Sequence, residues 1–277
     1  MLLSKKERAL QFLAQNLDWF CCPLCQSSFS LAADGLRCEN HHHFDLSKKG
    51  MTYFLQHQYK TEYDKAMFSA RRKMIQNGIY QPMLEAVKEC LPTQDYRLLD
   101  VGCGEGSFTQ RLQLEQGTSF GIDVSKEGIQ LATDYMNESC WFAVADLTHL
   151  PLKSHSTDVI LDLFSPAHYE EFQRILQPEG YVVKIIPAAH YLKELRQAFY
   201  HDTAKEKYSN EQVTQRLKEK MEVLHHRRIT YEVPILEEWQ QDVLHMSPIH
   251  WAANKQQLAA THLTKLTIDV ELYVARF

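Results

Sequence analysis

From Arg97 onward, short apolar runs alternate with longer stretches in which apolar residues recur every third or fourth position. The runs predict strands at 97–101, 119–123, 141–145, 157–163, 180–186, 229–234 and 268–275. The periodic stretches predict helices at 107–115, 125–137, 167–177 and 190–200, with one more near 235–245. Such alternation implies an α/β fold with a mostly parallel, seven-stranded sheet covered on both faces. Upstream, residues 4–18 carry helical spacing, and so does Tyr63 to Asn77, with Gly78 as its stop. Residues 201–228, rich in Lys, Glu and Gln, predict an inserted, exposed helical element.

The first predicted strand ends in Leu98-Leu-Asp-Val-Gly-Cys-Gly-Glu-Gly106, with glycine at every second position and Ser107 as the cap of the following helix. Residues without Cβ let a turn approach a bound molecule closely. A dinucleotide fingerprint would be G-x-G-x-x-G, whereas here the third glycine comes one residue early and Asp100 stands at the strand end. This acid-x-G-x-G-x-G pattern resembles motif I of the Rossmann-like S-adenosylmethionine (SAM)-dependent methyltransferases. On that resemblance, Asp100, Gly102, Gly104 and Gly106 form the cofactor turn, whose amides face the SAM carboxylate. Asp123, after the second strand, accepts from the ribose hydroxyls; Asp146, beside Leu147 after the third, accepts from the adenine amino group. The acceptor falls near Asp162-Leu-Phe-Ser-Pro-Ala-His168, where Asp162 and His168 are candidate proton acceptors, alongside water or a backbone carbonyl.

Composition changes the picture at the N-terminal end. Of seven cysteines, four crowd into residues 21–38, which argues for metal or free thiols over a disulfide framework. Cys22-Pro-Leu-Cys25 followed by Cys38-Glu-Asn-His-His42 has the ligand count and spacing of a structural zinc site. The assigned ligands are Cys22, Cys25, Cys38 and His42, since Cys21 makes a less usual four-residue step to Cys25 and His41 or His43 could replace His42 only with altered local geometry; four protein ligands leave no open position for catalysis. Cys90, Cys103 and Cys140 are scattered and read as packing residues. The expected organisation is a zinc module with a leading helix at 1–46, a basic and aromatic linker at 47–95, and a cofactor domain at 96–277.

The net charge of −5 disfavours a uniformly basic nucleic-acid binder, yet residues 1–90 hold 12 Lys and Arg against 9 Asp and Glu. Within the linker Lys48, Lys49, Lys60, Lys65, Arg71, Arg72 and Lys73 interleave with Tyr53, Phe54, Tyr59, Tyr63, Phe68 and Tyr80, a composition suited to phosphates and unpaired bases. Arg71, Arg72 and Tyr80 are expected to close over the cofactor and reacting base. No apolar run reaches membrane-span length and no signal-peptide core is evident, so the expectation is a cytoplasmic protein without a membrane partner.

The full order of motifs is more specific than any one of them. Cys-Pro-Leu-Cys, Cys-x₃-His-x-Phe-Asp, Ala70-Arg-Arg72, Gly78-Ile-Tyr-Gln-Pro82, the glycine turn and Gly121-Ile-Asp-Val-Ser-Lys126 together resemble the bacterial 23S ribosomal RNA guanine-N1 methyltransferases of the RlmA type. The resemblance implies methyl transfer to N1 of a guanine in a hairpin loop of 23S rRNA. It also implies a homodimer whose zinc modules help to form an RNA-binding cleft.

Overall fold

The computed structural model describes residues 3–56, 62–113, 115–201, 203 and 206–277. The first helix, α1 (Lys5–Asn16), opens on a reciprocal cap: Ser4 Oγ accepts from the Glu7 amide, and the Glu7 carboxylate accepts from the Ser4 amide. Its buried stripe, Ala9, Phe12 and Leu13, follows the helical period. Three short strands come next, β1 (Phe29–Ala32), β2 (Gly35–Cys38) and β3 (His43–Asp45), paired antiparallel as a small sheet. Two helices lead into the main sheet, α2 (Lys65–Gln76) and α3 (Gln81–Lys88). Asp64 caps the first through the Met67 amide. The second, with Pro82 in its first turn, is not among the predicted elements.

Thereafter strands and helices alternate: β4 (Tyr96–Val101), α4 (Ser107–Leu112), β5 (Gly117–Asp123), α5 (Lys126–Ala132), β6 (Cys140–Val144), β7 (Thr157–Leu163), α6 (Tyr169–Ile175) and β8 (Leu176–Pro187). The chain ends with α7 (Lys193–Tyr200), α8 (Glu211–Lys220), β9 (Glu222–Pro234), α9 (Gln240–His245), α10 (Lys255–Ala260) and β10 (Lys265–Arg276). The seven-stranded sheet runs β6-β5-β4-β7-β8-β10-β9, with β10 antiparallel to both neighbours and the other pairings parallel. The order reverses at β4, between β5 and β7, so a crevice opens there at the carboxyl ends of the strands.

Three local expectations change. Gly106, in a left-handed conformation, occupies the cap position of α4, and Ser107 is already its first helical residue. The helix expected to run to 177 stops at Ile175, and Leu176 to Gly180 forms an irregular start of β8, where the pairing with β7 jumps from Leu176 to Tyr181. Within 201–228 only Glu211–Lys220 is helical; Asp202, Ala204 and Lys205 lie outside the described residues, and Glu222 onward pairs with β10. This strand is the outer edge of the sheet, so its polar side chains face water and imitate a solvated helix in composition.

The metal-site end is packed into the same core as the sheet. The Phe20 ring lies edge-on to Phe120 at 5.1 Å and to Trp141 at 5.5 Å, and Phe12 meets Trp141 at 6.0 Å. Trp141 Nε1 donates to Gly50 O at 2.8 Å. The amide of Val144 donates to Thr52 O and Phe54 donates to Val144 O, so Tyr53 bridges β6 as a parallel rung on its open edge. Burying each such aromatic contributes about 1.5–3 kcal/mol, which ties the stability of the small sheet to that of the large one.

Candidate functional site: a glycine-turn crevice and a four-donor metal centre

At the amino end, Cys22 and Cys25 flank a tight turn, Cys38 ends β2 and His42 follows it, so four donors converge within 4.8 Å of one another. Cys25 Sγ stands 3.7 Å from Cys38 Sγ, and His42 Nδ1 is 3.5, 3.4 and 3.4 Å from Cys22, Cys25 and Cys38. A tetrahedron with zinc–sulfur bonds of about 2.3 Å and a zinc–nitrogen bond of about 2.0 Å has edges of roughly 3.5–3.8 Å, so the donors fit zinc. His41, with φ +64°, and His43 stand outside the cluster.

At the crevice, Gly102, Gly104 and Gly106 all have left-handed φ values. All three are also crowded: a Cβ on Gly102 would lie 2.5 Å from that of Ser165, one on Gly106 2.9 Å from that of Ala132, and one on Gly104 would press on the Phe68 ring at 3.1 Å. The Phe68 ring comes from α2, which lies over the turn. Arg72 holds the helix there by donating to the Glu105 carboxylate at 2.8 Å and to Glu105 O at 2.9 Å while stacking on Tyr135.

A cavity of about 790 Å³ opens beside the turn, large enough for a cofactor and a base. It gathers Gly102, Gly104, Asp123, Leu147, Arg71 and Tyr80 from the predicted set. Both Asp123 oxygens are oriented by backbone amides, Oδ2 by Gly104 at 2.9 Å and Oδ1 by Ser125 at 2.8 Å, which leaves lone pairs for a diol. Burial raises its pKa despite those amides. Ile122, Ala145 and Leu147 give that end an apolar wall. Arg71 is fixed by its Nε donating to Met246 O at 3.0 Å.

The other predicted residues lie around the cavity, outside its lining. Asp100 is buried beneath the turn and accepts from the Thr109 hydroxyl; burial pushes its carboxyl up to about 7. Gly106 packs on Ala132 and Phe142. Asp146 caps the Thr148 amide, while its neighbours Ala145 and Leu147 face the cavity. The Asp162 carboxylate is fully buried, ion-paired with Lys184, and accepts from Ser165 Oγ at 2.9 Å. Burial raises its pKa, with Lys184 opposing. His168 caps α6, its ring nitrogen accepting from the Glu171 amide at 3.3 Å.

The linker does not present one basic, aromatic face. Phe54 is buried against Phe44 and Trp141, Phe68 and Tyr80 are buried at the cavity, Arg72 pairs with Glu105 and Asp134, and Lys73 pairs with Asp242. The rings and Arg72 are used inside the protein, whereas Lys48, Lys49, Lys65 and the surface-paired Lys73 remain exposed, and Tyr59 and Lys60 lie outside the described residues.

Several lining groups carry no sequence signal of their own: Tyr191, Arg196 and the Met246 to Trp251 loop. Tyr191 accepts from or donates to the Tyr80 hydroxyl at 2.7 Å and stacks on Phe164 at 5.2 Å. Lys184 does leave a trace, as a lone charge in the apolar run Tyr181-Val-Val-Lys-Ile-Ile186.

A Rossmann-like sheet with a glycine turn and a part-buried acid at the end of the neighbouring strand, at its switch point, defines a SAM-dependent methyltransferase, and the four-donor centre adds a zinc ribbon. A methyltransferase-domain model matches residues 92–249, and the model described as "RlmA, N-terminal" matches residues 20–61. The chain is 34% identical over 277 residues, covering 94% of itself and 97% of its relative, to the "Putative 23S rRNA (guanine-N(1)-)-methyltransferase YxjB" of Bacillus subtilis (strain 168). It is 29% identical over 183 residues to the 23S rRNA (guanine(748)-N(1))-methyltransferase of Streptomyces fradiae, covering 63% of this chain and 65% of that one. A solved phosphoethanolamine N-methyltransferase 2 of Haemonchus contortus, in complex with phosphomonomethylethanolamine and S-adenosylhomocysteine, shares the fold at TM-score 0.52 and 14% identity, covering 78% of this chain and 58% of that one. The chain belongs to the 23S rRNA (guanine-N1)-methyltransferase family of the RlmA type, and SAM and zinc are its cofactors.

Proposed function

We propose that the protein methylates N1 of a guanine in 23S ribosomal RNA, taking that guanine from a hairpin loop. One observation carries the reading: a single cavity joins the glycine turn and Asp123 to a second end walled by Tyr80, Phe164 and Tyr191. In a paired helix N1 is engaged with its partner, so the base must come from a loop or be extruded to reach this second end.

The turn amides and Arg71 hold the SAM carboxylate, Asp123 the ribose diol and Asp146 the adenine amino group. When bound, SAM supplies a methyl group already activated by its sulfonium. The protein then works chiefly by alignment. Asp162, spent on Lys184 and Ser165, is a positioning residue: through Ser165 Oγ, whose single proton is shared between Asp162 Oδ1 at 2.9 Å and Val101 O at 2.7 Å, it fixes the Phe164 to Pro166 loop beside Gly102. Phe164 has φ +64°, a costly conformation that such fixing sustains. His168 supports the same region by capping α6, and the N1 proton leaves to water. The family resemblance supports a homodimer, with its zinc ribbons beside the RNA, working in the cytoplasm where rRNA is made. None of the described helices is long and apolar enough to cross a membrane.

The test is methyl transfer from labelled SAM to total RNA of a strain lacking the gene, followed by nucleoside analysis. The reading expects 1-methylguanosine confined to 23S rRNA; label in a small metabolite fraction alone would refute it.

A further inference from the structure

The cavity also has an outer lip, and two aromatic rings stand on it. Among the described residues, the large hydrophobic side chains left exposed include three aromatic rings, Tyr63, Trp251 and Phe277. Two of these, Tyr63 and Trp251, stand on the mouth of the same cavity although they are far apart in the chain. Their rings meet edge to face at 5.3 Å, and Tyr63 in turn stacks on Phe68 at 6.0 Å with an interplanar angle of 27°. Since Phe68 covers Gly104, the three rings form a ladder from the cofactor turn outward to solvent. Tyr63 is 38% and Trp251 41% exposed, so each retains apolar area that no described residue covers.

We infer that the Tyr63–Trp251 lip is a stacking platform for an unpaired nucleotide adjacent to the target guanine. This rests on the functional reading above and adds the residues that position the RNA. A guanine drawn into the cavity leaves its neighbour in the loop without a stacking partner. An aromatic face at the entrance replaces that partner without demanding a particular base, because every base has a π-face. The alternatives are a lid over SAM, or two rings that merely pack on each other.

The test uses full-length, zinc-loaded Trp251→Ala and Trp251→Phe proteins and a synthetic RNA hairpin with guanine in its loop. RNA affinity, SAM affinity, melting temperature and the split between KM and kcat are measured. Stacking on one aromatic corresponds to a loss of roughly 10–100-fold in RNA affinity for Trp251→Ala, seen in KM for RNA more than in kcat and largely recovered in Trp251→Phe. Replacing the loop nucleotide beside the target by an abasic site should cause the same loss and add little to Trp251→Ala. Unchanged RNA affinity in Trp251→Ala overturns the platform, and so does a parallel fall in SAM affinity, which would mark a lid. If the wild-type protein forms no 1-methylguanosine in any RNA, the functional reading falls and takes this inference with it; normal methylation with normal RNA binding by Trp251→Ala removes the inference alone.

Discussion

The metal centre and the cofactor crevice use buried chemistry in opposite ways. In the zinc ribbon, four side-chain donors converge on one point, and ligation itself stabilises the fold. In the crevice a glycine-turn backbone and side chains from distant elements line an open cavity, and the buried acids around it are held there at a cost: Asp100 is met by the neutral Thr109 hydroxyl, and Asp162 depends on Lys184. Removing a group from the first region should lose stability, whereas the sign in the second depends on what is left unpaired.

Cys22→Ser sharpens this most. Structural zinc contributes about 10–16 kcal/mol in small modules, so metal should be released and β1 to β3 should unfold. Because Phe20 and Phe54 also pack on Trp141, the melting temperature of the whole chain should fall, while SAM affinity at low temperature stays largely intact. A Cys22→Ser protein that retains one equivalent of zinc would refute the ligand assignment. Lys184→Met comes next. It leaves the Asp162 charge buried and unpaired, with an expected loss of about 3–5 kcal/mol by denaturant unfolding, most of it recovered in Lys184→Met/Asp162→Asn. Failure of the second change to recover stability would mean that the pair is not the source of the loss.

Asp100→Asn should go the other way. The folded protein holds the Asp100 proton up to about pH 7, while the unfolded chain releases it near its ordinary value of 3.8. Between those values the unfolded state binds fewer protons, so this group's contribution to stability falls as pH rises and levels off above 7. Asn keeps an acceptor for Thr109 and removes that penalty, a gain of at most about 4 kcal/mol at pH 8 that vanishes near pH 4. Thermal melts of both proteins across that range decide it; a pH-independent difference would contradict the account. The smallest effect falls on binding. Asp123→Ala should weaken SAM by about 2–3 kcal/mol in calorimetry, since charge-assisted hydrogen bonds are lost, and unchanged affinity would remove the ribose contact.

The same contrast explains what can be read from the sequence. Metal ligation needs particular side chains at particular separations, so Cys22, Cys25, Cys38 and His42 stand out by spacing alone, and in the fold they do meet. The glycine turn is legible because only glycine tolerates its φ values beside Ser165 and Phe68. The rest of the crevice has no such grammar. Tyr191, Arg196 and Trp251 are ordinary residues brought in by the closing of the chain, and Arg72 reads as a free cation because its partners Glu105 and Asp134 are distant in sequence. The first half of edge strand β9 passes for helix for a related reason: composition reports exposure, and an exposed strand and an exposed helix are both polar.

The central claim is that the crevice and the ribbon serve one reaction on ribosomal RNA. Incubating the zinc-loaded protein with labelled SAM and 23S rRNA from a strain lacking the gene, then digesting to nucleosides, tests it most directly. The account predicts labelled 1-methylguanosine, mapped to a loop and abolished by Cys22→Ser under conditions where that protein still binds SAM. Label in another nucleoside, or undiminished 1-methylguanosine from the ribbon-less variant, would contradict it.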